Sequence, residues 1–287
     1  TCPETGPYAC KSGETEPLYT FQWALNYLQS YFQGKADEAA FGGGIDLNVE
    51  PVHRQGIKGQ GVNVLVVDSG VDLAHEDLRE NTDIGMSWNF ETDSADPHPG
   101  LTSNGRSSAH GTNVAGIIGA AQNGKGVMGI APRVRIGGAA IVTGNMDILT
   151  ISNFTAIYGG APWSRDVHVI NGSYGGDGWV QPYNLTQAAE IAGIRGLKNL
   201  RDGKGVVFVK AAGNAFDDGN CGPLAGAYDC TNPANDPTTL EPNVIVTAAL
   251  NAKGQASSYS SAGSVMWITG LAGEAGQLGR YGEVSGR

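Results

Sequence analysis

The stretch "VNVLVVDSG", Val62 to Gly70, decides the fold. Its first six residues are almost wholly apolar and rich in valine, and they run straight into Asp-Ser-Gly, a turn. A run that short and that continuous is what a strand covered on both faces requires. Four more runs of this kind occur: "VRIGGAAIV" (134–142), "VHVI" (167–170), "GVVFVKAA" (205–212) and "NVIVTAAL" (243–250). Between them, "TFQWALNYLQSYF" (20–32), "HGTNVAGIIGAA" (110–121), "ILTISNFTAIYGG" (148–160) and "NLTQAAEIAGIRGLKNL" (184–200) carry apolar residues at helical spacing. The alternation predicts an α/β fold of three layers, a mainly parallel central sheet with helices on both faces. Such sheets place reactive groups at the carboxyl ends of their strands. Chemistry is therefore sought in the residues just after each apolar run.

The whole chain sets further bounds. With 287 residues and 40% hydrophobic content it suits a single large globular domain, and no internal repeat or linker divides it. The 44 glycines, about twice the usual share of ~7%, call for many tight turns and close backbone approaches. A net charge of −10 argues against nucleic acid and anionic membrane surfaces as partners, and leaves room for cationic substrates or calcium. No apolar run approaches the eighteen or so residues that span a bilayer. The amino terminus has neither Met nor a secretory leader, so a processed, secreted form (extracellular or periplasmic) is expected. The four cysteines fall in two local pairs, Cys2 with Cys10 and Cys221 with Cys230, each able to close a short loop in an oxidising compartment. The first fifteen residues are expected to form a frayed or extended amino-terminal extension.

Three strand ends carry candidate chemistry. Asp68 closes the first run, where a carboxylate needs a partner because isolated burial is costly; a turn aspartate is the alternative. His110 opens the helix-like segment of small residues and can serve as a general base oriented by Asp68. Asn214, in "AAGN", offers a neutral amide to a developing oxyanion, or is an ordinary turn residue.

Taken together, "DSG", "HGTNVAG" and "AAGN", in that order, resemble the subtilisin-like serine protease superfamily. The segments "EPLYTFQWAL" (16–25), "SWNFETDSADPHP" (87–99) and "RDGKGVVFVKAAGN" (201–214) extend the resemblance toward its kexin and furin branch. It implies an Asp-His-Ser acyl-transfer mechanism, with Asp68 orienting, His110 as base and Asn214 as oxyanion donor. The family's "GTS" serine motif does not occur between Asn214 and Arg287. We therefore expect residues 16–287 to be a catalytic domain incomplete at its carboxyl end, with the serine on a remainder of the same protease. A nick after Arg287 is favoured over a truncated form; a non-catalytic binding or inhibitory protein of the same fold is the alternative. Neither a "GxSxG" elbow nor histidine-ligand spacing supports an esterase or a metalloenzyme.

The resemblance also implies how substrate and metal are held. "NGSYGGDG" (171–178) is similar to the family's substrate-binding edge, where Ser173, Tyr174, Gly175 and Gly176 pair with an extended peptide. Asp177 matches one carboxylate of the pocket for a basic side chain, and Asp218, Asp217 or Asp229 the second. Ser69 and "RSSA" stand where the branch has acidic residues, so a single basic residue, rather than two in succession, is the expected preference. A structural calcium is implied by Glu16, Asp77 and Asn123, with carbonyls near Ala120, Lys125 and Val127. Ser261 stands where a second calcium site would have glutamate. A propeptide or chaperone is a possible folding partner.

Overall fold

In the computed structural model, residues 2–28, 44–100, 108–175, 184–216 and 232–274 are described. Five strands fall on the five apolar runs: β1 (Asn63–Asp68), β3 (Arg135–Ala140), β4 (Val169–Gly172), β5 (Val207–Ala211) and β6 (Val244–Leu250). Two more, β2 (Trp88–Asn89) and β7 (Met266–Leu271), complete a seven-stranded sheet in the order β2-β3-β1-β4-β5-β6-β7. Every neighbouring pair is parallel.

Alternation along β1 explains why its run had to be continuous. Leu65 and Val67 enter one apolar cluster while Val64 and Val66 enter another, and all four are buried. On the first face, α3 (Ile151–Thr155) and α4 (Leu185–Gly196) contribute Phe154 and Ile194, with Phe208 and Val244 from the sheet. On the second, α2 (His110–Gly119) contributes Ala115 against Val71 and Ile136. The sheet is thus covered from both sides, an α/β sandwich of three layers. A short turn of helix, α1 (Glu50–His53), precedes β1.

Local signals place the helices. Asn184 and Gln187 form a reciprocal capping box at the start of α4, satisfying backbone donors that the first turn leaves open. Arg195 in its last turn grips Glu241 with two hydrogen bonds, of 2.7 and 2.8 Å, tying α4 to the approach to β6. The segment after α3 is less regular than the pattern predicts. It widens over Ala156–Gly160 and breaks at Gly159, whose φ of +94° ends the helix.

The amino-terminal arm departs from expectation. The predicted helix over 20–32 is, in its described part, a single 3₁₀ turn (Tyr19–Phe21) followed by turns. Its apolar side chains serve two separate clusters, Tyr19 and Leu25 with Met128, and Trp23 with Ala252, which one helical face cannot reach. Gln22 completes the anchoring: its amide donates to the Met128 carbonyl at 2.8 Å and accepts from the Met128 N–H at 2.9 Å. The residues before it are not frayed. Glu4 forms ion pairs of 2.9 Å with the buried Lys58 and with Arg133, Ser12 is fully buried, and Cys2 and Cys10 are bridged. Cys221 and Cys230 lie outside the described residues.

Candidate active site

The strand order sets the location. From β1 the chain goes to β2 on one side and from β4 to β5 on the other, so the strand order reverses between β1 and β4, the place where sheets of this kind bind ligands at their carboxyl ends. Asp68 is the last residue of β1 and His110 the first of α2. Asp68 Oδ1 lies 2.7 Å from His110 Nδ1 and also accepts the Ser69 N–H at 2.7 Å. A carboxylate only accepts, so Nδ1 donates and the Nε2 lone pair is the one that can take a proton. The carboxylate is buried, whereas the imidazole side chain is 59% exposed.

Close approach at this corner depends on glycine. A Cβ on Gly111, the second residue of α2, would sit 2.9 Å from Asp68 Cβ and closer still to the Gly70 carbonyl. Gly70 adopts φ +117° beneath Pro99, a conformation that other residues rarely take. Ser69 joins the two elements: its buried hydroxyl donates to the Ser108 carbonyl at 3.3 Å and accepts the Gly111 N–H at 3.2 Å. The hydroxyl thereby satisfies one of the open donors at the start of α2. Nothing in the motif indicated this use.

Asn214 is exposed three residues beyond β5, also at a carboxyl end. Ser261 braces the backbone on both sides of it. The Ser261 N–H donates to the Gly213 carbonyl at 3.0 Å, and its hydroxyl accepts the Ala215 N–H at 3.1 Å. Ser173, Tyr174 and Gly175 come directly after β4, with Ser173 Oγ held by Asn171 at 3.0 Å. The Tyr174 carbonyl is turned inward and accepts from Lys210 Nζ at 2.8 Å. Gly176, Asp177, Asp217, Asp218 and Asp229 lie outside the described residues.

The residues named for calcium meet beneath the arm. Glu16 Oε1 accepts from Gly124 N–H and Thr15, and Asp77 Oδ2 from Val127 N–H. Glu16 Oε2 and Asp77 Oδ1 are buried and have no hydrogen-bond partner. Burial raises the Glu16 pKa; backbone and Thr15 hydrogen bonds offset part of this, and the neighbouring Asp77 charge adds to it. Two orphaned carboxylate oxygens in a dry site fit a hard cation. The remaining named groups are partly engaged: the Ala120 carbonyl accepts from Gly129, and Asn123 Oδ1 from the Lys125 N–H. Among the described residues no cluster of three or more His, Cys, Asp or Glu side chains forms a metal site, so a cage here would draw on amide and carbonyl oxygens.

Comparison with known proteins agrees with this architecture. The extracellular serine protease of Aeromonas sobria is 37% identical over 274 residues, which are 91% of this chain and 41% of that protein. Human furin is 32% identical over 212 residues, 72% of this chain and 24% of furin. The crystal structure of the Aeromonas sobria protease in complex with the chaperone ORF2 superposes with a TM-score of 0.73 at 34% identity, covering 94% of this chain and 45% of that one. The chain thus spans less than half the length of these relatives. The subtilase profile matches residues 59–275, from the turn before β1 to just past β7, and the chain belongs to the subtilase family.

Proposed function

We propose that these residues form most of the catalytic domain of a secreted, kexin-like serine endopeptidase, with residues 1–15 as an amino-terminal extension and the nucleophilic serine outside the 287 residues. The reading rests above all on the 2.7 Å contact between Asp68 and the half-exposed His110. In the mechanism, a serine hydroxyl adds to the scissile carbonyl and its proton passes to His110 Nε2. Asp68 stabilises the resulting imidazolium, and Asn214 donates to the oxyanion. Collapse breaks the C–N bond as His110 returns the proton to the leaving amine, and water repeats the sequence on the acyl-enzyme.

Substrate would lie along Ser173–Gly176, with Asp177 and Asp218 receiving a basic side chain. Similarity to furin supports that preference. Ser69, spent inside the fold, offers no charge to a second basic residue. Calcium would be held by Glu16, Asp77, Asn123 and carbonyls near Ala120, Lys125 and Val127, tying the arm to the core. The chaperone complex of the Aeromonas sobria protease supports a chaperone or propeptide partner here.

The test is hydrolysis of peptides carrying one or two arginines by the full-length protein, with fluorophosphonate labelling to find the serine. His110→Ala and Asp68→Asn are expected to lower kcat by at least about 10⁴-fold, a scale carried over from subtilisin, the family's namesake. Full activity in His110→Ala would overturn the mechanism. An unlabelled, inactive wild type would favour the non-catalytic reading.

A further inference from the structure

Lys210 interrupts the apolar run of β5, and its side chain is only 1% exposed. Its ammonium donates to the Tyr174 carbonyl at 2.8 Å, stands 3.3 Å from Asp236 Oδ2 and lies 4.1 Å from the centroid of the Tyr174 ring. Tyr174 is held at its far end as well, since its hydroxyl donates to Glu190 at 2.8 Å. One residue at the end of β4 is thus fixed by carbonyl, ring face and hydroxyl. With its carbonyl held by Lys210, the peptide plane that joins Tyr174 to Gly175 is fixed.

A cavity of about 780 Å³ adjoins this residue. Apolar Val142, Leu149 and Phe154 line part of it, and among the described residues Glu190 and Asp236 supply its carboxyl groups and Lys210 its amino group. By carboxylate count it looks suited to a cation. Asp236 is already paired from within, by Lys210. Burial would raise the Asp236 pKa, but the Lys210 ammonium and the Thr238 hydrogen bonds outweigh it and hold this carboxyl below its usual range. Glu190 is shifted upward by burial, only partly offset by Lys210, which favours its uncharged form.

We propose that Lys210 is a specificity-determining and positioning residue: as the resident counter-cation of Asp236 it makes this cavity a subsite for an uncharged, apolar substrate side chain and sets the register of the Ser173–Gly175 edge. The proposal rests on the proteolytic reading above, and it assigns any basic preference to another subsite. A substrate lysine entering the cavity would meet a like charge already seated beside Asp236. Such a juxtaposition is repulsive and excludes it.

The experiment uses the full-length protease and fluorescent, uncleavable peptides in which each position in turn is Leu, Lys or Glu, with affinity read by anisotropy at pH 8. Wild type is expected to prefer Leu over Lys at least 10-fold at one position. Lys210→Met, which keeps the stem and removes the charge, is expected to erase or reverse that preference there and to weaken every peptide through loss of the Tyr174 anchor. Asp236→Asn, which can still cap its turn, leaves the ammonium unpaired and is expected to favour Glu at the same position. Unchanged Leu-to-Lys ratios at every position in a folded Lys210→Met protein overturn the proposal, as does a wild type that prefers Lys throughout. If Lys210→Met does not fold, the Glu preference of Asp236→Asn decides alone. Anisotropy needs no hydrolysis, so peptides ranked as expected by an inactive protein would count against the protease reading only.

Discussion

Gly111 shows how much of the site is decided by a single missing atom. Because its Cβ would collide with the Gly70 carbonyl and press on Asp68, Gly111→Ala must push α2 away from β1. We expect that variant to keep its fold but to lose at least about ten-fold in kcat/KM, since small misplacement of a catalytic group is costly. Ser69→Ala leaves the buried Gly111 N–H without an acceptor and is expected to lower stability by about 1–3 kcal/mol, read by urea denaturation. Asp68 and His110 were legible because their neighbours, the valine run and the small-residue helix, announced a strand end and a close-packed turn. Ser69 and Lys210 were not. Their partners, Ser108 and Asp236, lie 39 and 26 positions away, and no local pattern tells a side chain which distant group it will find.

At the scale of elements, the arm was the part least legible. Its apolar residues read as a helix because they recur at helical spacing, but they divide between two clusters, a choice that only the finished core makes. Gln22→Ala is expected to cost about 1–3 kcal/mol by leaving Met128 without either backbone partner, with calcium-dependent stabilisation otherwise intact. Calcium itself is expected to raise Tm in wild type, and Asp77→Ala to abolish that rise. The arm is also expected to be acid-sensitive. His53 donates from Nε2 to the Ile130 carbonyl at 2.8 Å, so its Nδ1 must accept from Ser12 Oγ, an arrangement open only to the neutral ring. Burial lowers its pKa, while the Ile130 hydrogen bond pulls the other way; Lys58 adds to the lowering, and Glu50 and Glu14 oppose it. Below its unfolded value of about 6.5 the unfolded chain takes up the proton first, so this contribution to stability falls as pH drops. Denaturation midpoints at pH 8 and pH 5.5 should show the loss, and His53→Asn should reduce the difference.

For the molecule as a whole, five strands could be read because burial on both faces demands unbroken apolar sequence. Neither of the other two makes a run of that kind. β2 is only two residues long, and β7 leaves Trp267 and Ile268 exposed at 65% and 60% at the margin of the sheet. An uncovered apolar edge is an invitation to pair with another chain. The isolated 287-residue chain is therefore expected to self-associate with rising concentration, and Trp267→Lys to reduce that association in sedimentation; equal association in both would locate the cause elsewhere. The Gln22–Met128 clasp has a further consequence, in time rather than in space. Its two halves are 106 positions apart, and every pairing in the sheet joins strands running the same way, which cannot meet through a tight turn. Contacts of that range form slowly, since the loops between them must close before any contact rewards the closure. A ribosome releases the arm long before Met128 and Arg133 exist to receive it. The arm is thus made before the groups that seat it, and throughout that interval Tyr19, Trp23 and Leu25 wait in water.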